Sequence, residues 1–461
     1  MAPSFGTSGL RGLVTELTPE LVARYTHAFL AACPNGGALF VGRDLRPSSP
    51  RIAENVIEAA LSAGLRVVDC GALSTPALAL ASLGAKASAI MITGSHIPAD
   101  RNGLKFYVPS GEISKADEAA IVAAAENGST LPMSKGTLEA APQAAATYVE
   151  RYAAAFGPAA LGELRIGVYR HSSVARDEME AALRALGAEV VSLAHSDTFI
   201  PVDTEAVDPA TRSMLAQWCK EYGLDSVVST DGDADRPMVT DAAGVVVPGD
   251  ILGVLTALHL GATEICTPVS SNDMVNLVAG FDAVHMTRIG SPFVIAAMEE
   301  VLAHNPMAKV VGFEANGGFL LGYQAGMLAP LMTRDSLLPI IAPLVAAKAT
   351  GKTLRETIGT LPPVFTAADR VQEIDREKAG ALLAELIGSA SARDDFFKST
   401  GDIASLDLTD GLRVKTTKGE VVHLRPSGNA PEFRVYAQAA TTARAEEIVA
   451  QYMRMLSERL G

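Results

Sequence analysis

The chain has 461 residues, 48% hydrophobic and 20% charged, which is enough apolar content for several domain cores and too much for a disordered polymer. Its 38 basic and 52 acidic residues leave a formal charge of −14 with no basic block, so a nucleic-acid partner and an anionic membrane surface are not expected, and any anionic ligand must be held by a local cluster of Arg and Lys. Cys33, Cys70, Cys219 and Cys266 form no C-x-x-C pair and no zinc spacing, and neither a signal-like amino terminus nor an apolar run of about 18 residues occurs, so a reduced, cytoplasmic protein without a membrane span is expected.

In chain order, residues 19–32 carry helical periodicity, with Thr18 as N-cap and Pro19 in the first turn. Strand 38–42, helix 49–64, strand 65–69, helix 76–84 and strand 87–92 follow. A second block holds strand 164–169, helix 174–187, strand 188–192, helix 210–222 and strand 225–229. After a hairpin around Asp241–Gly244 come helix 249–260, strand 263–267, helix 272–279, strand 283–286, helix 291–304 and strand 308–312. Strands separated by helices predict largely parallel pairing. Pro362-Pro363 marks a linker. Beyond it, strand 364–373, helix 375–388, strands 404–408, 411–416, 420–425 and 432–438, and helix 441–459 predict a small α+β domain with turns at Thr409-Asp410-Gly411 and Thr417-Lys418-Gly419. The expected fold class is α/β: three αβ domains with mixed, largely parallel sheets at 1–145, 146–248 and 249–361, and an α+β domain at 362–461.

Four segments at strand ends carry candidate chemistry. Thr93-Gly94-Ser95-His96-Ile97-Pro98 offers Ser95 as a nucleophile or phosphate carrier, in a place where open αβ sheets bind ligands. It lacks the G-x-S-x-G pattern of a serine hydrolase, and a capping or turn serine is the plain alternative. In an extended segment Ser95 and His96 would point apart, so His96 is not expected to be its base. Gly103 predicts a turn that returns Lys105 toward Ser95, where Lys105 orients a phosphate or moves a proton; a solvated hairpin lysine is the other reading.

Asp231-Gly232-Asp233-Ala234-Asp235-Arg236 places three carboxylates at alternate positions in a small-residue loop, where mutual repulsion favours a hard divalent cation. The EF-hand pattern is absent, so Mg²⁺ completed by a phosphate oxygen is expected, with Arg236 neutralising that phosphate. An acidic surface turn is the alternative. Gly312-Phe313-Glu314-Ala315-Asn316-Gly317-Gly318 is suited to sugar hydroxyls through Glu314 and Asn316, and equally to an ordinary glycine turn. In Arg425-Pro426-Ser427-Gly428-Asn429-Ala430-Pro431-Glu432-Phe433-Arg434, residues Ser427, Gly428 and Asn429 form a candidate phosphate nest flanked by Arg425 and Arg434; a Gly–Asn hairpin is the alternative.

Together with Phe5-Gly6-Thr7-Ser8-Gly9-Leu10-Arg11-Gly12 and Gly42-Arg43-Asp44-Leu45-Arg46-Pro47-Ser48-Ser49, these loops resemble, in order and spacing along the whole chain, the signatures of the α-D-phosphohexomutase family. The resemblance implies a four-domain, heart-shaped architecture. It also implies an enzyme that moves phosphate between C1 and C6 of a hexose phosphate, through a phosphoserine and a hexose 1,6-bisphosphate that serves as intermediate or activator. Ser95 takes the phosphoserine role and joins Asp231, Asp233 and Asp235 around Mg²⁺, with Lys105, Arg11 and Arg236 as the remaining catalytic residues. Expected partners are small-molecule hexose phosphates, mannose phosphate first, then glucose phosphate and glucosamine phosphate, with a monomer or weak homodimer as the assembly. The chain departs from the usual pattern at Gly94 (usually Ala), Ile97 (Asn), Ser291 (His), Asn316 (Ser) and Asn429-Ala430. Two other classes fit part of the motif set: a phosphatase with Asp231 as nucleophile, and a non-catalytic sugar-phosphate binder.

Overall fold

Thr18 opens the first helix as expected, its Oγ1 accepting from the Leu21 amide with Pro19 in the first turn. The structure, a computed structural model, describes residues 3–6, 9–128, 134–426 and 432–460. The first block runs β1 (Ser4–Gly6), β2 (Gly9–Leu13), α1 (Pro19–Ala32), β3 (Ala38–Arg43), α2 (Ser49–Ser62), β4 (Arg66–Ala72), α3 (Thr75–Gly84), β5 (Ser88–Ile92), β6 (Arg101–Val108), β7 (Gly111–Glu112), α4 (Lys115–Asn127) and β8 (Thr137–Ala140). Its sheet has the order β1-β2-β6-β5-β3-β4-β8, with β7 on β6. Pairing is parallel among β5, β3, β4 and β8 and antiparallel from β5 through β6 to β2 and β1. Phe29, Val41, Ile52, Ile90 and Phe106 lie in the core between this sheet and its helices.

Helix α5 (Ala144–Phe156) leads to β9 (Arg165–His171), α6 (Arg176–Ala185), β10 (Glu189–His195), α7 (Pro209–Tyr222), β11 (Ser226–Thr230) and β12 (Pro237–Val239). Here β10, β9 and β11 pair in parallel and β12 closes antiparallel on β11. The hairpin expected near Asp241 forms, with Thr240 bridging Val246. Next come α8 (Gly249–Leu260), β13 (Glu264–Pro268), a 3₁₀ turn at Asp273–Leu277, β14 (Ala283–Thr287), α9 (Ser291–His304), β15 (Val310–Phe313), β16 (Phe319–Leu321), β17 (Leu331–Asp335), α10 (Leu337–Ala349) and α11 (Leu354–Ile358). The helix expected over 272–279 is only that 3₁₀ turn, capped by Asn272 Oδ1 accepting from the Met274 amide. The end of the chain holds β18 (Phe365–Gln372), α12 (Arg376–Gly388), α13 (Ala390–Phe397), β19 (Ile403–Asp407), β20 (Leu412–Thr416), β21 (Val421–Pro426), β22 (Glu432–Ala439) and α14 (Thr442–Leu460). Its sheet is antiparallel throughout, ordered β18-β22-β21-β20-β19.

Two compact units emerge, one of residues 1–265 with 290–358, the other of 266–289 with 359–461. In the second, segment 266–289 is tied to the carboxy-terminal residues. Arg413 Nη2 donates to Asp273 Oδ1 at 2.5 Å, Gln438 Nε2 donates to the Ser271 carbonyl at 2.9 Å, and the Ile289 amide donates to Asp410 Oδ2 at 2.9 Å. No helix among the described residues is long and apolar enough to cross a membrane.

Candidate active site

Within the first unit, the loop after β5 meets the loop after β11. Ser95 Oγ donates to Asp231 Oδ2 at 2.5 Å. The loops approach so closely that a Cβ on Gly232 would stand 2.7 Å from the Ser95 carbonyl oxygen. Two non-glycine residues here have left-handed backbones, Ser95 at φ +55° and Ala234 at φ +60°. Such conformations persist only where the surroundings enforce them. The extended geometry expected at Ser95 is therefore wrong. The turn brings His96 Nδ1 within 3.2 Å of Ser95 Oγ and of Arg236 Nη1. Because a guanidinium only donates, Nδ1 accepts from Arg236 and its proton sits on the other nitrogen. Burial and then the Arg236 charge push the His96 pKa down to about 3, so the ring is neutral.

Lys105 also arrives by a route the sequence misreads. Gly103 is no turn but lies inside β6, which pairs antiparallel with β5 and sets Lys105 opposite Met91. Lys105 is buried rather than solvated, and its Nζ donates to Asp233 Oδ2 and Asp235 Oδ2, each at 2.5 Å. Thr75 Oγ1, at the start of α3, donates to Asp233 Oδ2 at 2.6 Å.

Asp231, Asp233 and Asp235 are all fully buried, which removes the surface-turn alternative. Their ligand oxygens lie within 4.8 Å of one another, an arrangement able to hold a metal ion. Burial first, then the charges of Asp233 and Asp235, raise the Asp231 pKa well above the carboxylate range. Burial also works against the charged form of Asp233, but Lys105 outweighs it and holds that carboxyl below its usual range. Asp235 is likewise held low, with Arg334 overcoming burial. Asp233 Oδ1 and Asp235 Oδ1 are buried without a hydrogen-bond partner. Two buried carboxylate oxygens without hydrogen bonds, that of Asp235 lying 3.8 Å from Arg236 Nε, beside a third carboxylate fit a hard divalent cation.

Arg11, on β2 opposite Gly103, joins the same charge cluster: burial, then Arg236, lowers its pKa to about 10, against the pull of Asp233 and Asp235. Glu314 is buried and its pKa raised by burial, with Arg334 Nη1 at 3.9 Å from Oε2. Asn316 is partly committed to its own loop, its Oδ1 accepting from the Gly318 amide at 3.0 Å.

In the second unit, Arg425 and Arg434 face each other across β21 and β22, and Arg370 on β18 lies opposite Arg434. A row of like charges across a sheet is unfavourable unless counter-charges compensate. Asp410 Oδ1 accepts from Arg425 Nε at 2.9 Å, and Glu432 lies 3.7 Å from both Arg370 and Arg434. Ser427, Gly428 and Asn429 lie outside the described residues. The sequence reading misses Arg370, Thr75 and Arg334; their roles depend on partners far along the chain, and no local motif marks them.

Four family models match the chain in order: phosphoglucomutase/phosphomannomutase alpha/beta/alpha domain I over residues 2–131, domain II over 146–244, domain III over 248–365 and the C-terminal domain over 369–455. A phosphomannomutase of Sinorhizobium fredii is 43% identical over the full length of both chains. The chain belongs to the phosphoglucomutase/phosphomannomutase family. Its motifs are thus those of a phosphohexomutase, an isomerase, as the sequence led us to expect. Solved structures share the fold. A putative phosphomannomutase of Thermus thermophilus aligns with a TM-score of 0.77 at 22% identity, over 99% of each chain. An Aspergillus fumigatus N-acetylphosphoglucosamine mutase, crystallised with GlcNAc-6P and magnesium, aligns at 0.59 and 14% identity, over 100% of this chain and 96% of that one.

Proposed function

We propose that this phosphohexomutase is a Mg²⁺-dependent phosphomannomutase with Ser95 as its phosphate carrier. The observation that carries the chemistry is the seating of Ser95 Oγ on Asp231, beside two buried carboxylate oxygens that lack hydrogen-bond partners. The full-length Sinorhizobium relative supports mannose phosphate over glucose phosphate and glucosamine phosphate.

In this reading Ser95 and the three aspartates would hold the metal. When bound, Mg²⁺ supplies positive charge against the phosphoryl and leaving oxygens. A hexose hydroxyl takes the phosphoryl group from Ser95: the bond from phosphorus to Oγ breaks as the new phosphorus–oxygen bond forms, and the proton that the hydroxyl gives up ends on the departing Ser95 Oγ. The resulting hexose 1,6-bisphosphate turns, and its other phosphate returns to Ser95. Lys105, fixed by Asp233 and Asp235, orients the transferring group, and Arg11 and Arg236 balance its charge. Glu314 and Asn316 read the sugar hydroxyls. Arg425, Ser427, Gly428, Asn429 and Arg434 grip the phosphate that is not reacting.

Coupled assays with mannose 1-phosphate, glucose 1-phosphate and glucosamine 1-phosphate test the substrate, and the mannose compound is expected to turn over fastest. Ser95→Ala should lower turnover by orders of magnitude while hexose phosphate still binds. Intact mass should show a hydroxylamine-resistant phosphate on Ser95. A labile acyl phosphate on Asp231 instead, or near-wild-type turnover in Ser95→Ala, overturns the assignment.

A further inference from the structure

Arg46 has no part in the roles above, yet its side chain is completely buried against the Ser95 loop. A guanidinium has five N–H donors, and in Arg46 each has an acceptor. Nε donates to Asp44 Oδ2 at 3.1 Å. Nη1 donates to the carbonyls of Pro98 at 2.6 Å and Arg101 at 3.0 Å. Nη2 donates to the carbonyls of Ser95 at 2.9 Å and Ile97 at 2.5 Å. Three of the five acceptors therefore belong to the short loop that carries Ser95, and a fourth, the Arg101 carbonyl, opens the strand that follows it.

The guanidinium is itself fixed from both sides. Asp44 is held by Ser49 Oγ at 2.5 Å and by the Arg46 amide at 3.1 Å. The ring of Phe199 covers the guanidinium at 4.1 Å. Gly94 closes the arrangement: a Cβ there would lie 2.6 Å from Arg46 Cζ and 2.8 Å from Nε. Any Cβ at residue 94 would collide with the planar group unless the guanidinium moved off its five acceptors.

We propose that Arg46 is a positioning residue that holds Ser95 in its left-handed conformation by gathering the carbonyls of Ser95, Ile97, Pro98 and Arg101, and that Gly94 is glycine because the guanidinium fills the space of its Cβ. With its carbonyl drawn to Arg46, Ser95 presents Oγ to Asp231. Lysine cannot replace this clamp, because its three donors lack the planar fork. The inference rests on the reading of Ser95 as phosphate carrier for its effect on catalysis, and on geometry alone for its effect on the loop.

The test compares Arg46→Lys, Gly94→Ala and the double variant with the wild type, by steady-state kinetics on mannose 1-phosphate and by amide hydrogen exchange over residues 93–103. Each single variant should lose about 100-fold in kcat, the scale of a misplacement near 1 Å, with KM little changed and with faster exchange in the loop but not in α1. The double variant should be no worse than the poorer single, because both substitutions break one contact. Unchanged loop exchange, a rise in KM with kcat intact, or losses that simply multiply overturn the proposal. If Arg46→Lys does not fold, Gly94→Ala, which removes no side chain, decides alone. Should the wild type prove to have no mutase activity, the functional reading falls while hydrogen exchange still judges the clamp.

Discussion

Arg334 places one positive charge among three buried carboxylates. Its Nη2 lies 2.9 Å from Asp235 Oδ2, its Nε 3.8 Å from Glu112 Oε1 and its Nη1 3.9 Å from Glu314 Oε2. The metal loop and the sugar loop thus share a counter-charge. Replacing it by Met strands those carboxylates in a dry setting, which costs about 3–5 kcal/mol for a buried pair. Urea unfolding of Arg334→Met should show a loss of that order, with Arg334→Lys between the variant and the wild type; an unchanged midpoint would show that the carboxylates find other partners. Arg334 also marks where sequence reading stops at the residue scale. Ser95, Lys105 and the three aspartates were legible because each stands in a compact pattern of chemically committed residues after a strand. Arg334 and Thr75 act on carboxylates more than a hundred positions away in some cases, and nothing beside them announces it. The orientation of His96 escaped for a different reason: the positive φ of Ser95 is imposed by its surroundings, while the sequence suggests an extended chain.

The junction of α3 with α6 shows what an element contributes. Glu178, on α6, accepts from the Ser74 amide at 3.0 Å and from Ser74 Oγ at 2.5 Å, at the residue that caps α3. The next residue, Thr75, binds Asp233, so this cap steadies one wall of the metal loop. Burial pushes the Glu178 carboxyl up to about 7, against the opposing pull of the Ser74 hydrogen bonds. A folded pKa above the unfolded value of about 4.3 means the native state holds the proton more tightly. Stability is then full below that unfolded value and is lost as pH rises toward 7. Relative to Glu178→Gln, which cannot ionise, the wild type should lose about 4 kcal/mol across that window; parallel stability curves for the two proteins would refute the shift. Elements themselves were legible where one face is buried and a side-chain cap is present, as in α1 with Thr18 and α7 with Asp208. No element was read over 331–349 because α10 is buried on nearly all sides and carries Pro343, so it has no apolar stripe to detect. Strand β6 was hidden by Asn102-Gly103, residues that favour turns yet here lie in a buried strand.

For the whole molecule, three mutually repelling carboxylates are a store of instability that a cation relieves. At roughly 100 times its Kd, Mg²⁺ should stabilise the protein by about 2.7 kcal/mol through mass action. Thermal scans should show a higher melting temperature with Mg²⁺ than with excess chelator, a smaller shift in Asp233→Asn, and no mutase activity in chelator. Identical scans with and without the ion would reject the metal loop. A different consequence follows from segment 266–289. Part of it pairs within itself, but other partners are made late: Asp273 waits 140 residues for Arg413. At about 5–20 residues per second, a nascent chain would leave Asp273 without that partner for roughly 7–28 seconds. The gene therefore cannot be cut after Ile358 to leave a self-sufficient amino-terminal product, since the fragment would keep 266–289 and lose what covers it. An early stop codon in the last hundred residues would remove those late partners and so act as a folding lesion on what came before.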